Sequence, residues 1–147
     1  TWVRSSAGEK MEMEKLLSTS LSSHSITHSR LKALATLAQS TEDHISRVGL
    51  ALSIRMGEVE VGWEPTESEN ERGLSSSFNE KHLKGKTLFK GELPLWVALV
   101  LRIQQPADYS EWRRIFVSHW ERGVEELSAI AEREGDWIRT LHECLPN

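Results

Sequence analysis

Residues Glu111 to Ala131 read EWRRIFVSHWERGVEELSAIA. Trp112, Phe116, Trp120, Val124, Leu127 and Ala131 recur at steps of three and four. That spacing puts them on one side of a helix and leaves the charged residues on the other. Asp108 with Glu111 supplies a capping-box-like start, and Gly135 supplies the break. This is the longest helix of a chain that reads as mainly helical.

Upstream, LPLWVALVLRI (Leu93–Ile103) is apolar on nearly every side, with Pro94 where a first helical turn accepts it. Such a helix must be wrapped by other elements or by another subunit. Leu31, Leu34, Leu37 and Ala38 share a face of an earlier helix, with Thr27 or Ser29 as its cap and a short extended piece, His24–Thr27, before it. Ser40 or Thr41, followed by Glu42 and Asp43, starts the next helix. Ile45, Val48, Leu52 and Met56 line it, and Gly57 ends it. EVEVGW (Glu58–Trp63) alternates, which predicts a strand or ribbon that buries Val59, Val61 and Trp63. Asp136–Cys144 predicts a last short helix. Residues 1–23 read as a loose tail, and residues 24–147 as one helical domain with a flexible acidic loop over 64–77.

The chain has 147 residues, enough for one domain with a real core. Its longest apolar run is about half the roughly 20 residues needed to span a bilayer, and no signal peptide is visible, so no membrane partner is expected. The single cysteine, Cys144, excludes an internal disulfide and a thiolate metal cluster, which makes a reducing cytoplasm the expected setting. No P-loop, GxGxxG, HExxH, paired CxxC or GxSxG occurs. His24 and His28 are four apart but lack a third ligand, and His119 and His142 read as structural histidines. Glu80 and His82 are a weak nuclease signal, since phosphodiester hydrolysis usually takes two or more carboxylates around a metal. No catalytic residue, metal or cofactor is expected.

Charge is the informative part. Eighteen Lys and Arg face twenty-two Asp and Glu, a formal net charge of -4. That argues against coating nucleic acid indiscriminately but leaves room for a local basic face. KHLKGKTLFKG (Lys81–Gly91) gathers Lys81, Lys84, Lys86 and Lys90 with no carboxylate among them. Its two glycines let backbone N–H groups approach an anion. Arg30 and Lys32 flank the first apolar stripe and are expected to face outward, with Arg47 at the edge of the second. Trp96, Trp112 and Trp120 read as core or subunit-contact residues, and the wholly apolar helix implies self-association.

The run SRLKALATLAQSTEDHISRVGLALSIRMGEV resembles the N-terminal half of the DndE family of DNA sulfur modification proteins. KTLFKGELPLWVALVLRIQQP is similar to that family's Gly-Glu segment and apolar helix, and HWERGVEEL to its later His-x-Glu-x-Gly helix. The pieces occur in order over Ser25–Ile130. The resemblance implies a helical fold with a ribbon-helix-helix-like part, a homotetramer, and binding to double-stranded DNA with a preference for nicks. It also implies work in DNA phosphorothioation, a restriction and antiviral defence modification, beside other subunits of the sulfur-modification machinery. By the matched segments, Arg30, Lys32 and Arg47 correspond to basic positions of the family. Lys81, Lys84, Lys86 and Lys90 lie before or inside the Gly-Glu segment. The leading expectation is a non-enzymatic DNA-binding subunit. A metal-dependent DNA nickase using Glu80 and His82, and a scaffold that touches only protein, are the alternatives.

Overall fold

The computed structural model describes residues 18, 20–73, 77–89 and 92–145. Six α-helices and a two-stranded antiparallel ribbon make up the described fold. In chain order these are β1 (Ser20–Ser22), α1 (Ser25–Ala38), α2 (Glu42–Met56), β2 (His82–Lys84), α3 (Gly85–Phe89), α4 (Leu93–Leu101), α5 (Tyr109–Glu134) and α6 (Trp137–Cys144). The fold is mainly α, as the periodicity predicts, with a minor ribbon.

Helix α5 is the axis, about 39 Å long at 1.5 Å per residue. Trp112, Ile115, Phe116, Trp120, Val124 and Leu127 are fully buried along it, with Trp112 and Phe116 edge-to-face at 4.7 Å. Asp108 accepts the Glu111 N–H at 2.9 Å to start it, and Gly135 ends it at φ 72°. That left-handed turn sends α6 back against α5.

Helix α2 lies against α5 along most of its own length. The two meet at a pair of glycines. A Cβ placed on Gly123 would fall 1.7 Å from the Gly49 carbonyl oxygen, and one on Gly49 would fall 3.0 Å from the Val124 nitrogen. Backbone therefore packs on backbone, closer than any side chain allows. Above and below that crossing, polar pairs are matched inside the interface. The indole N–H of Trp120 donates to Ser46 Oγ at 2.9 Å, and Ser53 Oγ bonds His119 Nδ1 at 2.9 Å. Arg122 then closes the C-terminal end of α2, donating to the carbonyls of Ser53 (2.6 Å), Gly57 (2.5 Å) and Glu58 (2.9 Å). A guanidinium here neutralises the negative end of the helix and satisfies its orphan carbonyls.

Three sequence expectations are corrected. The Glu58–Trp63 segment is not a strand. Val59 is buried, but its N–H and C=O pair with the Gln104 side-chain amide at 3.0 and 2.9 Å, and Gly62 at φ 82° turns the chain so that Val61 is left 84 % exposed. The ribbon forms elsewhere, between β1, at the end of the segment read as tail, and β2 inside the lysine stretch. Nor is His24–Thr27 an extended lead: α1 begins at Ser25 after His24, and Thr27 is a buried helical residue. Residues 1–17 and 19 of the tail lie outside the described residues.

Gly123→Ala is expected to destabilise at or beyond the upper end of the roughly 1–3 kcal/mol typical of overpacking, because the clashing atom is backbone. Urea unfolding followed by circular dichroism reads it, and a variant as stable as the parent contradicts the crossing. His119 gives a second prediction. Burial, aided by the Arg122 charge, pushes its pKa down from 6.5 to about 4. The unfolded chain takes up that proton first, so the contribution is complete above pH 6.5 and is lost as pH falls toward 4. Its ceiling is on the order of 3 kcal/mol. Unfolding midpoints at pH 7.5 and 5.0 should differ less in His119→Gln than in the parent.

Candidate nucleic-acid interface

The register of the ribbon decides which lysines are available. Leu21 pairs with Leu83, and both are buried, so the alternation of β2 turns His82 and Lys84 to solvent. Gly85 is buried at the start of α3, Leu88 is its inward anchor, and Lys86 and Thr87 are exposed between them. Arg47 reaches from α2 to the Thr87 carbonyl at 3.4 Å. On the other side of Lys84, its strand partner Ser20 offers its carbonyl to Arg113 of α5 at 2.7 Å. Arg47 is thus bonded to the backbone one residue beyond Lys86, and Arg113 to the backbone of the residue opposite Lys84. None of the four has a carboxylate partner among the described residues.

Arg113 was missed in the sequence because it lies on the charged side of α5, where nothing distinguishes it from Arg114 or Arg122. Only the docking of β1 makes it a neighbour of Lys84.

Other expected cations are otherwise engaged. Arg30 does not face outward; it is 4 % exposed. It stands one turn before Leu34 on the buried side of α1, so its register belongs to the core face. Its guanidinium grips Glu71 through Nε (2.7 Å) and Nη2 (2.8 Å) and reaches Glu125 through Nη1 (3.0 Å). It also donates to the Thr66 carbonyl. Lys81 pairs with Glu42 at 3.1 Å, so it too is not a free surface charge. Lys32, opposite the buried side of α1, is exposed, and no contact links it to the Lys84 run among the described residues. Lys90 lies outside the described residues.

The acidic segment is correspondingly not loose over 66–71. Arg30 straps it down, Thr66 donates to Glu125 at 2.7 Å, and Asn70 bonds Glu132. A capping box between Ser68 and Glu71 shapes the single 3-10 turn Glu69–Glu71. Burial alone lowers the Arg30 pKa, but the hydrogen bonds and charges of Glu71 and Glu125 outweigh it and raise the value. In return the hydrogen bond from Arg30, against the cost of burial, draws Glu71 down to about 2. The strap meets α5 at Glu125 and Glu132, twelve or more residues beyond Arg113, which is at least about 18 Å along the helix. That exceeds the roughly 8 Å Debye length at physiological salt.

The histidines also have local partners. His24 precedes α1 and pairs with Glu121 at 3.0 Å, and the His28 Nδ1–H donates to the Asn79 carbonyl, 2.8 Å away. His82 Nδ1 lies 3.0 Å from Ser22 Oγ, with Glu80 exposed nearby in sequence. Among the described residues, no three or more His, Cys, Asp or Glu side chains gather as a metal-holding group, and no helix is long and apolar enough to cross a membrane.

The chain matches no family model, no curated protein and no solved structure at a significant level.

Arg30→Met should lower stability by on the order of 3 kcal/mol, since it leaves two carboxylates facing each other without their cation. Limited proteolysis should then cut first within residues 64–73. In the parent, the Glu71 contribution is complete above pH 4.5 and is lost as pH falls toward 2, a window the variant should lack. Equal cleavage of both proteins contradicts the strap.

Proposed function

We propose that this chain is a DNA-binding subunit of a DNA phosphorothioation system, holding nicked duplex DNA without chemistry of its own. The observation that carries the reading is the run Arg47–Lys86–Lys84–Arg113, exposed or half-exposed and free of carboxylate partners among the described residues. The resemblance of Ser25–Ile130 to the DndE family supplies the biological setting. In this proposal phosphates bind the run and fix the position of the duplex without reading bases. A nick lowers the cost of bending DNA onto a rigid surface, which favours nicked over intact duplex. Lys32 and Lys90 extend the surface in the proposal, while Arg30 and Lys81 act indirectly, by holding the acidic strap and by pinning the lysine segment to Glu42.

The acidic balance of the chain is compatible with this surface. Of the three carboxylates in the 66–71 strap, Glu71 is paired with Arg30, and the strap meets α5 beyond a screening length from Arg113.

Self-association of the chain is part of the proposal. An apolar groove of about 660 Å³ runs between α2 and α6, lined by Val48, Ala51, Leu52, Ile138, Leu141 and Leu145. Ile138 and Leu145 are 71 % and 62 % exposed, and Leu95 of α4 is 54 % exposed. Such a surface favours association, and a repeated basic run would then contact the duplex at several points.

Gel-shift titrations of intact, nicked and gapped duplex across a salt series test the reading. Lys84→Gln with Lys86→Gln should weaken binding to every duplex and reduce the salt-dependence slope by about 2, near 0.9 per phosphate contact. Unchanged affinity removes this surface from DNA binding. Sedimentation of the same samples reports self-association, and a monomer at all concentrations removes the oligomer from the proposal. Open circles formed from supercoiled plasmid with Mg²⁺ or Mn²⁺, and lost in Glu80→Gln, would instead make the chain a nickase.

A further inference from the structure

A second concavity, of mixed apolar and polar lining, begins where the lysine run ends. A cleft of about 480 Å³ opens between the end of β1, the Gly62–Trp63 turn and the first turns of α5. That volume is in the range of sites for small ligands. Ser22, His24, Trp63, Arg113, Arg114 and Glu121 carry its chemistry.

Two arginines and two glutamates line it, and no arginine is paired with a glutamate there. Glu121 is 3 % exposed, but its carboxylate is already engaged by the His24 N–H (2.8 Å), the Thr27 hydroxyl (2.6 Å) and the His24 ring (3.0 Å). Glu64, which also lines the cleft, is exposed at its edge. Arg113 commits one amino group to the Ser20 carbonyl and leaves the rest of its fork uncommitted among the described residues. Arg114 is the sharper case: its Nη1 is wholly buried and has no hydrogen-bond partner among the described residues. A buried guanidinium nitrogen without an acceptor is costly, and a phosphate that takes two parallel N–H bonds suits the arginine fork. The half-buried indole of Trp63 lines the same cleft and offers a flat apolar surface on which a base can stack.

We infer that this cleft is a subsite for one nucleotide at a strand end, its terminal phosphate on Arg113 and Arg114 and its base against Trp63. The inference rests on the DNA-binding reading above and names the part of the nucleic acid the cleft takes. Arg113 belongs both to the cationic run and to the cleft, so a strand tracked along Lys86 and Lys84 reaches the cleft directly. A terminal phosphate carries more charge and more free oxygens than an internal phosphodiester, so the two arginines that line the cleft favour the end over the middle of a strand. This gives a preference for broken strands that is separate from the ease of bending.

The test is calorimetry at low salt with tetrathymidylate bearing either a 5′-phosphate or a 5′-hydroxyl. The parent protein should bind the phosphorylated oligonucleotide at least tenfold more tightly. Arg113→Gln with Arg114→Gln should erase that preference. Trp63→Ala should weaken both oligonucleotides by about tenfold, and Trp63→Phe should restore most of the loss. Lys84→Gln with Lys86→Gln should lower duplex affinity and leave the 5′-phosphate preference intact. Equal affinity of the parent for the two oligonucleotides overturns the subsite, as does a preference that survives the double arginine change. Loss of the subsite with duplex binding retained defeats this inference alone, whereas absence of duplex binding defeats the reading beneath it. Thermal melting confirms that each variant is folded, and Arg113→Gln alone, at an exposed position, replaces the double variant if that one is not.

Discussion

The fold depends on the contact of Gly49 with Gly123. Where two helices cross with glycine on both sides, their backbones approach closely enough that even one methyl group is excluded. That approach brings Ser46 to Trp120 and Ser53 to His119 at hydrogen-bond distance, so the polar groups inside the interface are matched only because the crossing is tight. Arg122 follows from the same geometry. It lies less than one turn from the crossing, and its fork reaches the open carbonyls at the end of α2. The order of cause runs from a steric allowance, to a helix spacing, to a buried polar network that fixes the register.

Two arginines organise the charge of the molecule from within. Arg122 closes a helix, and Arg30 holds the acidic strap against α1 and α5. An arginine drawn in from solvent, fully as Arg30 or partly as Arg122, is stable only when its donors meet well-placed acceptors, and each of these has several. The consequence reaches the surface. With the strap fixed toward the C-terminal half of α5, the N-terminal part of α5, the ribbon and α3 carry Arg113, Lys84 and Lys86, which have no ion-pair partner among the described residues. A chain with excess negative charge can in this way still hold a local positive edge, which is the physical condition the proposed DNA contact requires.

The helices were largely legible. The apolar stripe of α5, the Thr41 and Asp108 caps and the Gly135 stop all read correctly because each is a local signal, complete within one or two turns. The ribbon was not legible, since strands of three residues are too short for a period of two to register. Glu58–Trp63 misled for the opposite reason. It alternates well, but an alternating segment needs a neighbouring strand, and here a single glutamine side chain takes the place of that neighbour at Val59. Arg30 misled because its charge suggested solvent, while its position one turn from Leu34 placed it on the buried side.

The sequence by itself determined where helices start and stop, which sides of them are apolar, and that positive charge is concentrated near the middle of the chain. Only the tertiary structure decided which of those charges are free. An ion pair between Arg30 and Glu71, or a meeting of Arg113 with the strand opposite Lys84, joins residues far apart along the chain. No local rule carries such distances, because they are set by how closely α2 can approach α5 and by where the loops between them are consequently drawn.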